Sequence, residues 1–325
     1  MALIVADVGG TNVRFALSSM TNSQLTQIKY LRCADFDSFE GAFENFVTSI
    51  SDKKDGQTHL LSLAVAGPVN SEFVEVSNSH WKFGKSQLID RLKLNSLLVI
   101  NDFTAQALAQ EELVREHNLQ LLKGISDSKA PLLVIGPGTG LGVSALIPLT
   151  DGPLPIEGEG GNVCFSPQTD IERNLDAYLR EEKDHIVVEN FVSGPGLEAI
   201  YGFMSGKKIT ELNLSAEKIG ETALKEHGLC RDAVNTMFGI LGSVMADHVL
   251  TIGCWRGAVI AGGIIPRLAP LIMSSSFPER FRSAGQMRHL LENVPIWLSK
   301  DPNAGLKGAR AALDNPHLAH RIKIA

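Results

Sequence analysis

Two short glycine turns in this chain carry hydroxyls where a phosphate can be held. Asp7-Val-Gly9-Gly10-Thr11 sets a carboxylate, two glycines and a hydroxyl side by side. Glycines let backbone N–H groups come close to a phosphate, and the carboxylate can hold Mg²⁺ through its hydration water. The same residue types also build a plain hairpin turn. Gly138-Thr139-Gly140 repeats the arrangement with a hydroxyl at its tip. Two such clamps suit the β- and γ-phosphates of one nucleotide.

Three further segments offer acid–base or hydroxyl-binding chemistry. Asn101-Asp102 ends an apolar run and opens a helical one. Asp102 there can take the proton of a sugar hydroxyl as it attacks phosphorus. It can equally serve as a helix cap worth about 1 kcal/mol, and the two residues can divide these roles. In Glu157-Gly-Glu159-Gly-Gly161-Asn162, glycines flank a carboxylate able to accept bonds from vicinal hydroxyls; the plain alternative is an acidic turn. Glu189 is either another hydroxyl acceptor or a solvated charge. Other phosphate motifs fail: the 136–142 loop lacks G-x-G-x-x-G in register, and Gly84-Lys85-Ser86 has Ser79 where a Walker A loop needs its first glycine.

The elements that must position these groups alternate between strand and helix. Residues 3–8 and 15–17 read as strands around the first turn, and 132–135 and 143–147 as strands around the second, which points to an internally duplicated architecture. A third apolar run, 258–261, meets Gly262-Gly263-Ile264-Ile265-Pro266, which can end a strand and open a helix. Apolar residues recur at three and four over 37–49, 104–114, 216–226 and 231–251, predicting amphipathic helices. The fold class is therefore α/β. Residues 51–58 and 124–129 read as loops.

Length and composition bound the rest. At 325 residues the chain suits two domains with a cleft between them. Apolar residues make up 44% and charged ones 20%, enough to bury a core without a membrane or partner. A net charge of −6 argues against nucleic-acid binding, which needs a basic face. Cys33, Cys164, Cys230 and Cys254 contain no C-x-x-C pair, so neither a disulfide framework nor a zinc knuckle is indicated and a reduced cytoplasm fits. The first apolar run lacks a basic lead and reads as a strand rather than a signal. No apolar run reaches the roughly 20 residues of a membrane-crossing helix.

Taken in order, the motifs resemble those of bacterial glucokinases, within the superfamily of actin-like ATPases, hexokinases and Hsp70. The resemblance rests on Asp7-Val-Gly-Gly-Thr-Asn12, Ile-Asn101-Asp102-Phe-Thr-Ala, Gly138-Thr-Gly-Leu-Gly-Val, Gly-Glu159-Gly-Gly, Ser-Gly-Pro-Gly-Leu and Ala-Gly262-Gly263-Ile-Ile-Pro-Arg267, and spans essentially the whole chain. It implies a two-lobed, ribonuclease H-like fold with an interlobe cleft that closes on sugar. The small lobe would be residues 1–112 with 303–325, including a C-terminal helix over 305–313; the large lobe would be 113–302. It implies an ATP-dependent hexose kinase whose partners are ATP/ADP and a small sugar, with Mg²⁺ and no zinc, as a cytoplasmic homodimer. By the same resemblance Asp7, Gly9, Gly10, Thr11 and Asn12 form the first phosphate motif, Gly138, Thr139 and Gly140 the second, and Gly262 and Gly263 the adenosine motif. Asp102 is the catalytic base, and Asn78, Asn101, Glu159, Asn162 and Glu189 hold the sugar. One departure stands out: the family reads Gly-Glu-Gly-Gly-His, and here the last position is Asn162. Rival readings are a sugar-binding regulator without catalysis and a chaperone-like ATPase; no helix-turn-helix precedes the first phosphate strand, and the Asn101-Asp102 and Glu159 motifs match sugar kinases.

Overall fold

The structure, a computed structural model, describes residues 2–21, 23–50, 59–113, 118–207 and 214–325. Its strands are β1 (Ala2–Val8), β2 (Asn12–Ser18), β3 (Leu25–Arg32), β4 (His59–Val65), β5 (Phe73–Glu75), β6 (Lys82–Gly84), β7 (Leu94–Asn101), β8 (Asn118–Leu122), β9 (Leu132–Pro137), β10 (Leu141–Ile147), β11 (Leu154–Gly158), β12 (Gly257–Ile260), β13 (Ile296–Ser299) and β14 (Lys323–Ile324). The helices are α1 (Phe39–Ile50), α2 (Lys85–Leu92), α3 (Asp102–Leu113), α4 (Asp170–Leu179), α5 (Gly194–Ser205), α6 (Ala216–Lys225), α7 (Leu229–Ile252), α8 (Ile265–Ile272), α9 (Phe277–Arg282), α10 (Arg288–Leu291) and α11 (Ala304–Asp314). The chain divides into two compact units: Met1–Arg115 with Leu146–Glu157 and Asp301–Ala325, and Glu116–Ala145 with Gly158–Lys300. The 124–129 segment is a loop. The 51–58 segment and the end of the helix expected to 114 lie outside the described residues.

The two sheets repeat one plan. The first runs β14-β7-β4-β1-β2-β3 and the second β11-β10-β9-β12-β13-β8. In the first, β2 pairs antiparallel with β1, while β4 pairs parallel with β1 and β7 parallel with β4. In the second, β9, β12 and β13 are likewise parallel. The link from β9 to β10 is only three residues, too short for a parallel crossover, so it is a hairpin like that of β1 and β2. An antiparallel strand ends each series, β14 on β7 and β8 on β13.

Sequence pattern explains the placement. Leu3, Ile4, Val5, Ala6 and Val8 are all buried, because a central strand covered on both faces reads as a continuous apolar run. Edge strand β3 is largely exposed or half-exposed. Phe39, Ala42, Phe43 and Phe46 recur at helical spacing and bury one stripe of α1, with Phe46 stacked on Phe15 at 5.2 Å between centroids. On α11 the buried face is small, including Ala304, Gly305, Gly308, Ala309 and Ala312, so its backbone comes close to α3. Ser62 anchors the same helix by donating to the Ala309 carbonyl at 2.6 Å.

One sequence expectation is corrected here. α7 is 24 residues long and apolar enough by composition to cross a bilayer, although it packs as a core helix with 67% of its most apolar window buried. Interruptions by Asn235, Ser243, Asp247 and His248 broke the apolar run in the sequence, yet they leave the average hydropathy high.

Candidate active site

In the first unit the turns expected to carry chemistry leave the same end of the sheet. Val8 of β1 is level with Val65 of β4, and Val65 with Asn101 of β7. Open α/β sheets bind ligands outside such carboxyl ends. The β1–β2 turn is closed by the Gly9 N–H donating to the Asn12 carbonyl at 2.9 Å, with Thr11 exposed at its tip. Cys33 braces it from behind: its N–H donates to the Thr11 carbonyl at 2.9 Å and its thiol to the Gly9 carbonyl at 3.5 Å. Burial pushes the Cys33 thiol up to about 11, so it stays a neutral donor. Gly10 must be glycine because a Cβ there would lie 2.7 Å from the Ser77 carbonyl and 2.9 Å from that of Asn78. Asn78 itself has φ of 58°, a left-handed conformation asparagine tolerates, and sits directly against Gly10 of this turn.

Asp7 lies one residue before the strand end and is buried. Arg14, directly opposite it across the hairpin, donates to Oδ2 at 2.7 Å. Desolvation raises the Asp7 pKa and Arg14 opposes that shift. From α11, a Cβ at Gly305 would fall 2.5 Å from Asp7 Oδ2.

At the end of β7 the two polar residues take different work. Asn101 Oδ1 accepts from the Phe103 N–H at 2.8 Å and the Thr104 N–H at 3.2 Å, while its amide donates to the Gly67 carbonyl at 3.2 Å. Asn101 is therefore the cap of α3, and only one of its amide hydrogens remains for a ligand. Asp102 is the first residue of α3, half-buried, and accepts from the Phe103 N–H at 3.0 Å.

In the second unit, the remaining residues are joined through the β9–β10 hairpin. Gly138 N–H donates to the Gly140 carbonyl at 2.8 Å, and the Gly138 carbonyl accepts from Gly194 N–H at 2.9 Å, at the start of α5. Thr139 is exposed at the tip. Gly262 has φ of 87° and lies against the same hairpin, since a Cβ there would be 2.9 Å from the Pro137 carbonyl; Gly263 faces open space. Glu189 is half-buried and accepts from the Leu141 N–H through Oε2 at 3.2 Å, so it is no mere solvated charge. The Glu159–Asn162 loop is exposed at both ends and closed by Asn162 N–H donating to the Glu159 carbonyl at 2.9 Å. It is held beside Glu189 by pairing of Val188 N–H with the Val163 carbonyl at 3.1 Å. A Cβ on Gly161 would lie 2.2 Å from the Leu141 carbonyl, so this loop and Glu189 both rest on the residue that follows Gly140.

Thus Asp7, Gly9, Gly10, Thr11, Asn12, Asn78, Asn101 and Asp102 gather at one end of the first sheet. Gly138, Thr139, Gly140, Glu159, Asn162, Glu189, Gly262 and Gly263 gather around the hairpin of the second. Sequence reading missed the supporting residues. Arg14 was accessible from the turn alone, because closing Gly9 on Asn12 fixes a register that sets 7 opposite 14. Cys33, Gly67 and Gly305 come from distant segments and leave no local signal of these contacts.

The sequence matches the Glucokinase family over residues 4–316. It is 37% identical over 329 residues to a glucokinase of Helicobacter pylori (strain J99), covering 98% of this chain and 97% of that one. It is 34% identical over 321 residues to a glucokinase of Colwellia psychrerythraea, covering 96% of each. The crystal structure of a glucokinase from an Antarctic psychrotroph matches with a TM-score of 0.80 at 32% identity, over 97% of this chain and 99% of that one. With its motifs in family order along two sheets of one plan, the chain belongs to the glucokinase family.

Proposed function

We propose that this ATP-dependent hexose kinase phosphorylates glucose with Asp102 as the base. The attacking sugar oxygen bonds to the γ-phosphorus as its proton passes to the Asp102 carboxylate, and the bond from that phosphorus to the bridging oxygen breaks to release ADP. Asn78, Asn101, Glu159, Asn162 and Glu189 hold sugar hydroxyls. The turns at Gly9–Asn12 and Gly138–Gly140 bind the β- and γ-phosphates, with adenosine beside Gly262 and Gly263. The division of labour at the end of β7 carries this reading. Asn101 supplies the cap, so Asp102 is not needed for it.

Asp7 suits a Mg²⁺ that travels with the nucleotide. Its buried carboxylate, raised in pKa by desolvation and engaged by Arg14 at one oxygen, would have its charged form further stabilised by a cation. Among the described residues no group of three or more His, Cys, Asp or Glu is poised to hold a metal. A Mg²⁺ held by phosphates and water needs only one or two carboxylates. Bound there, the ion would neutralise charge on the transferring phosphoryl group. We place the reaction in the cytoplasm at the entry to glycolysis, in a homodimer. The four unpaired cysteines suit a reducing compartment.

Coupled ADP-release assays over glucose, mannose, fructose and N-acetylglucosamine test the assignment, and turnover with none of them would end it. Thr11→Ala and Thr139→Ala should each weaken ADP binding by roughly tenfold or more, the worth of a hydrogen bond to a charged group, with smaller changes in sugar affinity. Calorimetric titration reads this directly; unchanged ADP affinity and turnover in both variants would reject the paired clamp. Asn162→His should lower the glucose KM by about 5–150-fold if the asparagine leaves a sugar hydroxyl unpaired, with little change in kcat. Loss of activity toward a different, preferred sugar while glucose stays poor would show instead that Asn162 selects that sugar.

A further inference from the structure

The Glu159–Asn162 loop cannot position itself. Two of its four residues are glycines, and its two side chains point into exposed positions, so its place depends on what the glycines rest upon. Gly161 rests on Leu141 of β10. Gly160 rests on two side chains: a Cβ there would be 2.7 Å from Val143 Cβ and 2.9 Å from His248 Cε1. His248 comes from α7, almost ninety positions along the chain, and nothing in the proposed chemistry uses it.

His248 is also the polar member of that seat. Its ring lines a cavity of about 260 Å³ with a mixed wall, in which Phe165, Val188 and Val244 stand beside Asp247 and the Glu172–Arg280 ion pair. Its Nε2 is buried with no partner among the described residues. Burial lowers the pKa of the ring, and the Gly160 backbone, hydrogen-bonding with it, works in the opposite direction. An imidazole held against a glycine backbone with one buried nitrogen unsatisfied is costly packing that an apolar side chain would avoid. A phenylalanine would fill the same space without that cost. The polar group is explained if it fixes where the Gly160 peptide sits.

We propose that His248 is a positioning residue that holds the Gly160 backbone and thereby aims Glu159 and Asn162 at the sugar. The proposal rests on the reading above that Glu159 contacts the sugar, so the test carries a separate control for it. His248→Phe keeps an aromatic ring and removes the hydrogen bond; His248→Gln keeps an amide that can reach the same backbone; Glu159→Gln tests the loop itself. We expect His248→Phe to raise the glucose KM about tenfold, with ATP KM and kcat changed less than threefold, matching the loss of one hydrogen bond. His248→Gln should recover most of the difference. A purely structural histidine would lower the melting temperature without this split between glucose and ATP.

An unchanged glucose KM in His248→Phe, alongside a raised one in Glu159→Gln, overturns the role of His248 and leaves the sugar loop standing. An unchanged KM in Glu159→Gln overturns both. Should His248→Phe not fold, imidazole ¹⁵N shifts of the intact enzyme during glucose titration decide: displacement of the His248 signals supports the proposal, and unmoved signals reject it.

Discussion

Asp102→Asn should lower kcat by about 10²–10⁴-fold while glucose still binds with near-normal affinity. That range is what a general base contributes, roughly 3–5.5 kcal/mol of barrier. The substitution is close to isosteric and keeps a carbonyl oxygen where Asp102 Oδ1 accepts from the Phe103 N–H, so the start of α3 survives. The stronger cap, Asn101, is untouched, with its bonds to Phe103 and Thr104. What disappears is the ability to receive a proton. A negative charge in the first turn of a helix contributes about 0.3–1 kcal/mol, so the melting temperature should move only slightly. Single-turnover kinetics together with glucose titration separate the outcomes. A folded variant with near-normal turnover would return Asp102 to a supporting role in the helix start.

Gly308→Ala should be the most damaging single methyl in the first unit. A Cβ at that position of α11 would lie 1.7 Å from the Ala105 carbonyl and 2.3 Å from its carbon, in α3. The obstacle is backbone, which no rotamer change can move. Relief requires α3 and α11 to separate, and α3 begins with Asp102. Overpacking of this kind costs about 1–3 kcal/mol or more, and backbone against backbone belongs at the upper end. At about 2–4 °C per kcal/mol, the first unit should melt some 6–12 °C lower, with activity reduced as well. Gly41→Ala supplies the opposite sign. In α1 the nearest atoms to its added Cβ are 4.0 Å away, and alanine gains about 0.5–1 kcal/mol over glycine inside a helix. Calorimetry of the two variants side by side checks both. Equal melting temperatures would mean that the approach of the two helices is loose.

The legible parts of this protein are those in which a single segment carries both a pattern and its purpose. The run into Asp7 and the run into Asn101 read as strands since both of their faces are covered, and the polar residues that end them mark where cover stops. The β9–β10 hairpin read just as clearly, because glycine and threonine stand between two apolar runs. The duplication was visible at those two hairpins alone; that each sheet continues with two parallel strands and an antiparallel edge needed the pairing. Side chains that aim the site were invisible for a physical reason. His248 interrupts a core helix and Cys33 follows an edge strand, and each resembles ordinary filling until its neighbour from a distant segment is known. The split between Asn101 and Asp102 was open in the sequence because either residue caps a helix well; only the bonds to Phe103 and Thr104 assign the cap.

The return of the chain's last segment to the first unit has a bearing on synthesis. A ribosome delivers β1, β2, β4, β7 and α3 early, but the helix that covers α3 and the strand that covers the β7 edge belong to Asp301–Ala325. Until those residues emerge, the buried face of α3, with Ala105, Leu108 and Ala109, has no partner from α11, and Asp7 lacks the glycine backbone that lies over it. All of Glu116–Ala145 and Gly158–Lys300 is delivered before that point. Domains made in order normally fold first to last. Here the half begun first is finished last, so a nascent chain passes through a stage in which the Gly138–Gly140 hairpin of the second unit can be whole while the aspartate that would accept the sugar's proton still stands on an uncovered helix.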